Sequence, residues 1–253
     1  MPYAILTRDL DGSGYAAALT PLGLEAVAMP VMRTAPPRDP GALARALAVG
    51  GHAAIVVTSP RGAVALAAAR REVSCGLRLP EVWAVGPQTK RALEAEGIAA
   101  VHPEGVSDGT GLARAMLATR SLAGRRVLLA RAEDGREEAM TILRAAGVDT
   151  ELVAAYRSEP VPPDDPAIAH GISLLVAGEA AVCAVFAPSQ VRALAALVAP
   201  ALGALRAVEA VFAAIGETTA SALREAGVAT VAVASTPTPE GLAKAIGAVY
   251  PPR

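Results

Sequence analysis

Three stretches of this chain set hydroxyl groups where a strand-like run meets a helix-like one. Ala84-Val85-Gly86-Pro87-Gln88-Thr89 and Ala214-Ile215-Gly216-Glu217-Thr218-Thr219 each join a short apolar run ending in glycine to a threonine-bearing helix start. Thr58-Ser59-Pro60-Arg61 follows the apolar run that ends at Val57. Amides at such helix starts, with a hydroxyl beside them, suit a carboxylate or a phosphate. Glycine there permits a sharp turn or a close backbone approach, and proline fits a first helical position. The plainer reading is a Ser/Thr N-cap and nothing more. The return of Gly86 and Thr89 as Gly216 and Thr219 favours a paired role, two helix starts facing each other across a cleft. Opposite Ser59 the second half has Ala187-Pro188-Ser189, so Ser189 supplies a hydroxyl only if the alignment slips.

Tyr156-Arg157 stands at the end of a strand-like run, just before a proline-rich joint. A tyrosine there suits a weak general acid or hydrogen-bond donor; the alternative is a wedge that packs a hinge. Arg8 and Arg131, at the ends of equivalent first strands, have the charge to bind anions, although a solvated loop arginine is the commoner fate. Ser59 has no His or Asp partner to make it a nucleophile, which leaves an acyl-transfer triad unsupported. His52, His102 and His170 are scattered without ligand spacing, and Cys75 and Cys183 are isolated. Neither a metal site nor a disulfide framework is expected. The chain has no Gly-x-Gly-x-x-Gly and no Gly-x-x-x-x-Gly-Lys-Ser/Thr to carry a nucleotide cofactor. A net charge of −1 and 3% aromatic residues offer no global field or stacking surface for nucleic acid or an acidic membrane.

The elements that must position these residues follow from periodicity. Short β-branched runs alternate with longer alanine- and leucine-rich stretches of helical period, which predicts an α/β fold with mostly parallel sheets. Strands are expected near 3–6, 25–28, 53–57, 82–85 and 99–101, then 126–129, 151–155, 182–186, 211–215 and 230–233. The chain also repeats itself: Leu6 and Arg8 return as Leu129 and Arg131, Arg33 as Arg157, Leu93 as Leu223, and Gly97 as Gly227. Proline-rich joints, Pro36-Pro37-Arg38-Asp39-Pro40 and Pro160-Val161-Pro162-Pro163-Asp164-Asp165-Pro166, interrupt both copies. If the chain leaves its first lobe at one joint and returns at the other, each lobe holds five strands. The expected division is a discontinuous lobe of 1–35 with 158–253 and a continuous lobe of 38–155, with linkers near 34–40 and 156–166. A boundary at 121–125, with each repeat its own domain, is the simpler alternative, but Leu122-Ala123-Gly124-Arg125 lacks linker composition. No apolar run approaches a membrane span, and the N-terminus shows no export signal. A cytoplasmic monomer is the expectation.

The ordered landmarks resemble the uroporphyrinogen-III synthase family along essentially the whole chain. They are Leu6-Thr7-Arg8, Thr58-Ser59-Pro60, Ala84-Val85-Gly86 with Thr89, Val153-Ala154-Ala155-Tyr156-Arg157, and Ala214-Ile215-Gly216 with Thr218-Thr219-Ala220. Two positions depart from the family pattern: Asp9 replaces a proline that often follows Thr-Arg, and Ala187 stands where a serine is common. The resemblance implies two flavodoxin-like lobes joined by a two-stranded linker, with a cleft between them. It implies the substrate hydroxymethylbilane, a linear tetrapyrrole with eight carboxylates, and no cofactor. The implied reaction is that of a hydro-lyase: the ring closes with loss of water and inversion of ring D, giving uroporphyrinogen III. Hydroxymethylbilane also closes spontaneously, without inversion, to isomer I. In this reading Tyr156 helps the hydroxyl leave. Arg8, Thr58, Ser59, Gly86, Thr89, Ser189, Gly216, Thr218 and Thr219 hold acetate and propionate groups. The rival is a hinged two-lobe binding module for an anion or tetrapyrrole.

Overall fold

The computed structural model describes residues 1–10, 12, 14–74 and 76–250; Cys75, expected to be isolated, lies outside them. In chain order the strands begin with β1 (Tyr3–Leu6), β2 (Glu25–Ala28), β3 (Met32–Ala35), β4 (His52–Val57), β5 (Glu81–Ala84) and β6 (Ala100–Val101). They continue with β7 (Arg126–Ala132), β8 (Asp149–Pro160), β9 (Ala180–Val185), β10 (Val211–Ala214) and β11 (Val231–Val233). The helices are α1 (Tyr15–Leu19), α2 (Ala42–Val49), α3 (Pro60–Val73), α4 (Pro87–Ala95) and α5 (Gly109–Thr119). After them come α6 (Glu138–Ala145), α7 (Pro166–Val176), α8 (Pro188–Leu202), α9 (Glu217–Glu225) and α10 (Pro239–Val249). Five of these helices, α3, α4, α7, α8 and α10, carry proline in their first turn. Proline's fixed φ suits that position and its missing N–H costs nothing there, so the prolines mark helix starts in the sequence.

The chain packs as two compact units, Met1–Arg33 with Glu159–Arg253, and Thr34–Ser158. In the first unit the sheet order is β11-β10-β9-β1-β2, parallel at every pairing. Successive side chains of a strand face opposite sides. Ile5, Cys183, Val185 and Phe212 therefore pack one face, together with Ile168, Leu175, Leu194 and Leu223 from α7, α8 and α9. Ala4, Leu6, Val182, Ala184 and Ala213 pack the other, with Leu19, Leu242 and Ile246 from α1 and α10.

The second unit repeats the plan around the order β3-β8-β7-β4-β5-β6. Ile55, Val57, Val82, Leu128 and Val153 meet Leu43, Leu47, Leu66 and Leu93 from α2, α3 and α4. Ala54, Val56, Trp83, Val127 and Leu129 meet Leu112, Met116, Met140 and Leu143 from α5 and α6. From β8 to β6 the pairings are parallel, and helices on both faces of these strands explain their near-continuous apolar runs.

Each of the ten expected strands is present, and an eleventh, β3, is added. The joints are also more regular than proline content suggested. Met32–Ala35 is a strand, and β8 continues through Tyr156 and Arg157 to Pro160. The residue before a proline is pushed toward extended conformation, which carries these segments as strands up to Pro36 and Pro160. Arg157 donates through Nε to the Pro36 carbonyl at 3.0 Å. Arg33 meets Glu159 at 2.8 Å.

Candidate functional site

In a doubly wound sheet, ligands bind beyond the carboxyl ends of the strands, where the strand order reverses. In the second unit that point lies between β4, which leads to β5 and β6 on one side, and β7, which leads to β8 on the other. A cavity of about 340 Å³ opens there, at the small end of the roughly 300–1,000 Å³ range of ligand sites. Thr58 and Ser59 line it beyond β4, Val85 beyond β5, Arg131 and Ala132 at the end of β7, and Tyr156 on β8. The start of α5 contributes Ser107 to Thr110, and Gly135, Arg136, Glu138 and Ala139 close the far wall.

Ser59 is the N-cap of α3: its Oγ accepts the Gly62 amide at 3.1 Å. The same hydroxyl donates to the Tyr156 hydroxyl, also at 3.1 Å. The serine proton and one lone pair are thus engaged inside the protein, leaving the Ser59 side chain no donor for a carboxylate. Thr58, half-buried beside it, also lines the cavity. Tyr156 reaches this wall through a register shift. Arg131 faces Ala154, but the next residue, Ala132, faces Tyr156. Such a β-bulge re-aims a side chain. Val153 and Ala155 pack the face that also receives Tyr156, where strict alternation would turn residue 156 away.

Arg131 is not the solvated loop residue that arginine statistics suggest. It is only 9% exposed. Its guanidinium donates to the Gly135 carbonyl and meets Glu137 at 3.2 Å. The loop 132–137 therefore folds around Arg131, and the neighbouring Arg136 is exposed on the cavity rim with no ion pair among the described residues. Across the cavity, Asp108 caps α5 by accepting the Gly111 amide at 2.7 Å. Arg136 and the α5 start escaped the sequence reading. The signal was present in Asp108-Gly109-Thr110-Gly111, a capping pattern opening a helix, but only strand order shows that it reaches the same cavity.

Gly86 and Thr89 lie one strand further along, at the β5–α4 turn. Gly86 has φ −144° and Gly216 has φ −179°. Both are extended, so the sharp-turn rationale for these glycines fails. A side chain added at either would meet nothing within 4 Å, and the open space leaves close approach of a ligand as their remaining use. Thr89 and Thr219 are only 4% and 3% exposed, withdrawn into their helix starts, whereas Thr218 is exposed.

The other candidates, Arg8, Ser189, Gly216, Thr218 and Thr219, belong to the first unit. There the strand order reverses between β1 and β9. Arg8 leaves β1 at that point and lays its guanidinium 5.1 Å from the Tyr15 ring centre and 5.2 Å from that of Phe186. Its Nε is buried with no hydrogen-bond partner among the described residues. Ala187, at the N-cap of α8, gives no side-chain cap, and Ser189 follows in the first turn without replacing it. The first unit also has a larger, open cavity of about 850 Å³ around Met1, Glu179, Glu209 and Tyr250. It lies at the amino ends of β1, β9, β10 and β11, and its two carboxylates oppose an anionic ligand. Among the described residues no cluster of His, Cys, Asp or Glu could hold a metal ion. None of their helices is long and apolar enough to cross a membrane.

The family model described as uroporphyrinogen-III synthase HemD matches residues 13–244. Among solved structures, a mutant uroporphyrinogen III synthase from the extremely thermophilic bacterium Thermus thermophilus is 23% identical, with 98% of this chain and 97% of that one covered and a TM-score of 0.60. Uroporphyrinogen-III synthetase from Helicobacter pylori is 16% identical, with 98% and 100% covered and a TM-score of 0.60. At those identities the likeness speaks for the fold. No curated protein sequence matches the chain.

Proposed function

The chain belongs to the uroporphyrinogen-III synthase family, and from that premise we propose that it converts hydroxymethylbilane to uroporphyrinogen III, as a hydro-lyase of tetrapyrrole synthesis. The observation that carries this reading is Tyr156. The residue lines the second unit's cavity, and its hydroxyl accepts from Ser59, so its own proton is uncommitted. The phenol donates that proton to the hydroxymethyl oxygen of the substrate. The C–O bond breaks, water leaves, and the pyrrole nitrogen lone pair stabilises the remaining azafulvene cation. Ring D attacks through its already substituted carbon to give a spiro centre. The old bridge bond at that carbon then breaks, leaving an azafulvene cation on ring C that the free α-carbon of ring D captures. Loss of that carbon's proton restores the pyrrole and the phenol. Protons balance, with water as the only by-product.

The rest of the work is holding a flexible chain so that ring D presents the correct carbon, a matter of proximity and orientation. In the second unit we assign carboxylate contacts to Thr58, Arg136, the α5 amides at Gly109 and Thr110, and the backbone at Gly86 and Thr89. In the first unit, Arg8 and the helix starts at Ser189, Gly216, Thr218 and Thr219 are assigned the same chemistry. A cytoplasmic monomer completes the proposal; the exposed large apolar side chains, Met1, Val49, Val64, Val101, Val176 and Val249, are scattered over separate elements.

The product is the test. Incubated with fresh hydroxymethylbilane, the protein yields isomer III faster than protein-free closure yields isomer I. Isomer I alone, at the uncatalysed rate, leaves a binding module.

A further inference from the structure

We infer that Ser59 is a positioning residue that sets the direction of the Tyr156 proton, a role that rests on the proposed acid function of Tyr156. The serine hydroxyl has one proton and must place it. Its oxygen already accepts the Gly62 amide at 3.1 Å, and the acceptor within reach of its proton is the Tyr156 oxygen, also at 3.1 Å. A phenol that accepts along one lone pair keeps its own O–H for another direction. Among the described residues no protein group accepts that proton, and Tyr156 lines the cavity.

The serine is held firmly enough to impose this. It caps a 14-residue helix, α3. Gly62 brings the first turn close to the sheet: a Cβ there would lie 3.2 Å from the Val57 side chain and 3.5 Å from the Ala130 carbonyl. Tyr156 is fixed from the other side by the register shift between β7 and β8, and by the Glu133 amide donating to its carbonyl at 2.8 Å. Two rigid elements thus meet at one hydrogen bond whose polarity leaves the phenol a donor toward the cavity.

The polarity can be reversed without removing the cap, because Ser, Asp and Asn cap helices about equally well. In Ser59→Asp the carboxylate accepts the Gly62 amide and has no proton to give. The Tyr156 proton then turns to it and away from substrate. In Ser59→Asn the side-chain oxygen accepts from Gly62 while the amide nitrogen donates to Tyr156, and the original polarity is kept. Both variants are expected to melt near the wild-type temperature.

Steady-state formation of isomer III from hydroxymethylbilane then separates the readings. Ser59→Asn is expected to keep kcat within a few-fold of wild type. Ser59→Asp is expected to lose a factor of ten or more in kcat, part of the ~10²–10⁴ that a positioned proton donor supplies. In a Tyr156→Phe background, Ser59→Asp should cost no further kcat; any repulsion between the new carboxylate and substrate persists there and shows in KM. Equal kcat for the Asp and Asn variants overturns the inference, as does an undiminished kcat penalty for Asp in the Phe background. If Tyr156→Phe itself turns over at the wild-type rate, the acid reading falls and the Ser59 role falls with it.

Discussion

Replacing Arg131 by methionine tests how the rim of the cavity is built. Methionine retains an apolar stem of similar length and removes all five donors. The Gly135 carbonyl loses its partner, and Glu137 loses the guanidinium 3.2 Å away. The two losses are unequal. A hydrogen bond from a charged donor in a half-buried setting is worth about 1.5–3 kcal/mol. The Glu137 side chain is 62% exposed, so its ion pair adds at most about 1 kcal/mol after screening by solvent. The sum, about 1.5–4 kcal/mol, falls on loop 132–137. It is a local cost, borne by the segment that carries Arg136 rather than by the core. A binding-competent loop depopulated by about 2 kcal/mol weakens apparent affinity by up to ~30-fold. We expect KM for hydroxymethylbilane to rise by roughly that factor, with kcat changed much less, and amide exchange in 132–137 to accelerate. Arg131→Lys should fall between, since a point charge cannot span both acceptors as the planar fork does. If Arg131→Met leaves KM and exchange in the loop unchanged, Arg131 does not organise this wall.

Arg8→Met separates function from stability in the first unit. It removes a buried, unpartnered Nε along with two ring contacts. These effects oppose each other at about 1–2 kcal/mol each. Thermal melting is therefore expected to hold or rise slightly, while the lost charge raises KM tenfold or more; a large drop in melting temperature would assign Arg8 to packing. Cys183 gives a pH prediction. Burial pushes its thiol from 9.0 up to about 12. The unfolded chain deprotonates first, so this contribution is fully present below pH 9 and is lost as the pH rises toward 12. Between those limits Cys183→Ala should lose stability less steeply than wild type, by about 1.4 kcal/mol per pH unit. Equal slopes in chemical denaturation would refute the burial argument.

Much of the frame was legible because the chain announces its helix starts. Pro60, Pro87, Pro166, Pro188 and Pro239 stand in the first turns of their helices, and the alternating apolar runs between them have no other use than a buried sheet. Thr58-Ser59 could be placed at a carboxyl edge for the same reason. β3 was missed because Arg33 and Thr34 sit among prolines, and a four-residue edge strand has too little pattern to outweigh them. The aim of Tyr156 depends on an extra residue in β8, which changes the facing of one side chain without marking the sequence. The partner of Ser59 was invisible for a related reason: 97 residues separate the two hydroxyls, and only the strand order β8-β7-β4 brings them to one wall. Arg131 was misjudged because burial of an arginine depends on a loop closing over it, and Gly135 has no helical or strand period to read.

The central claim is that the cavity beyond β4 and β7 supplies the proton for ring closure. The most direct measurement is the rate of isomer III formation from hydroxymethylbilane by wild type and Tyr156→Phe, with isomer I counted in the same samples. The phenylalanine variant is expected to bind substrate with similar KM and to form isomer III about 10²–10⁴ times more slowly, so that spontaneous isomer I overtakes it. Wild-type rates and isomer ratio from the variant would contradict the claim and return Tyr156 to a packing role on β8.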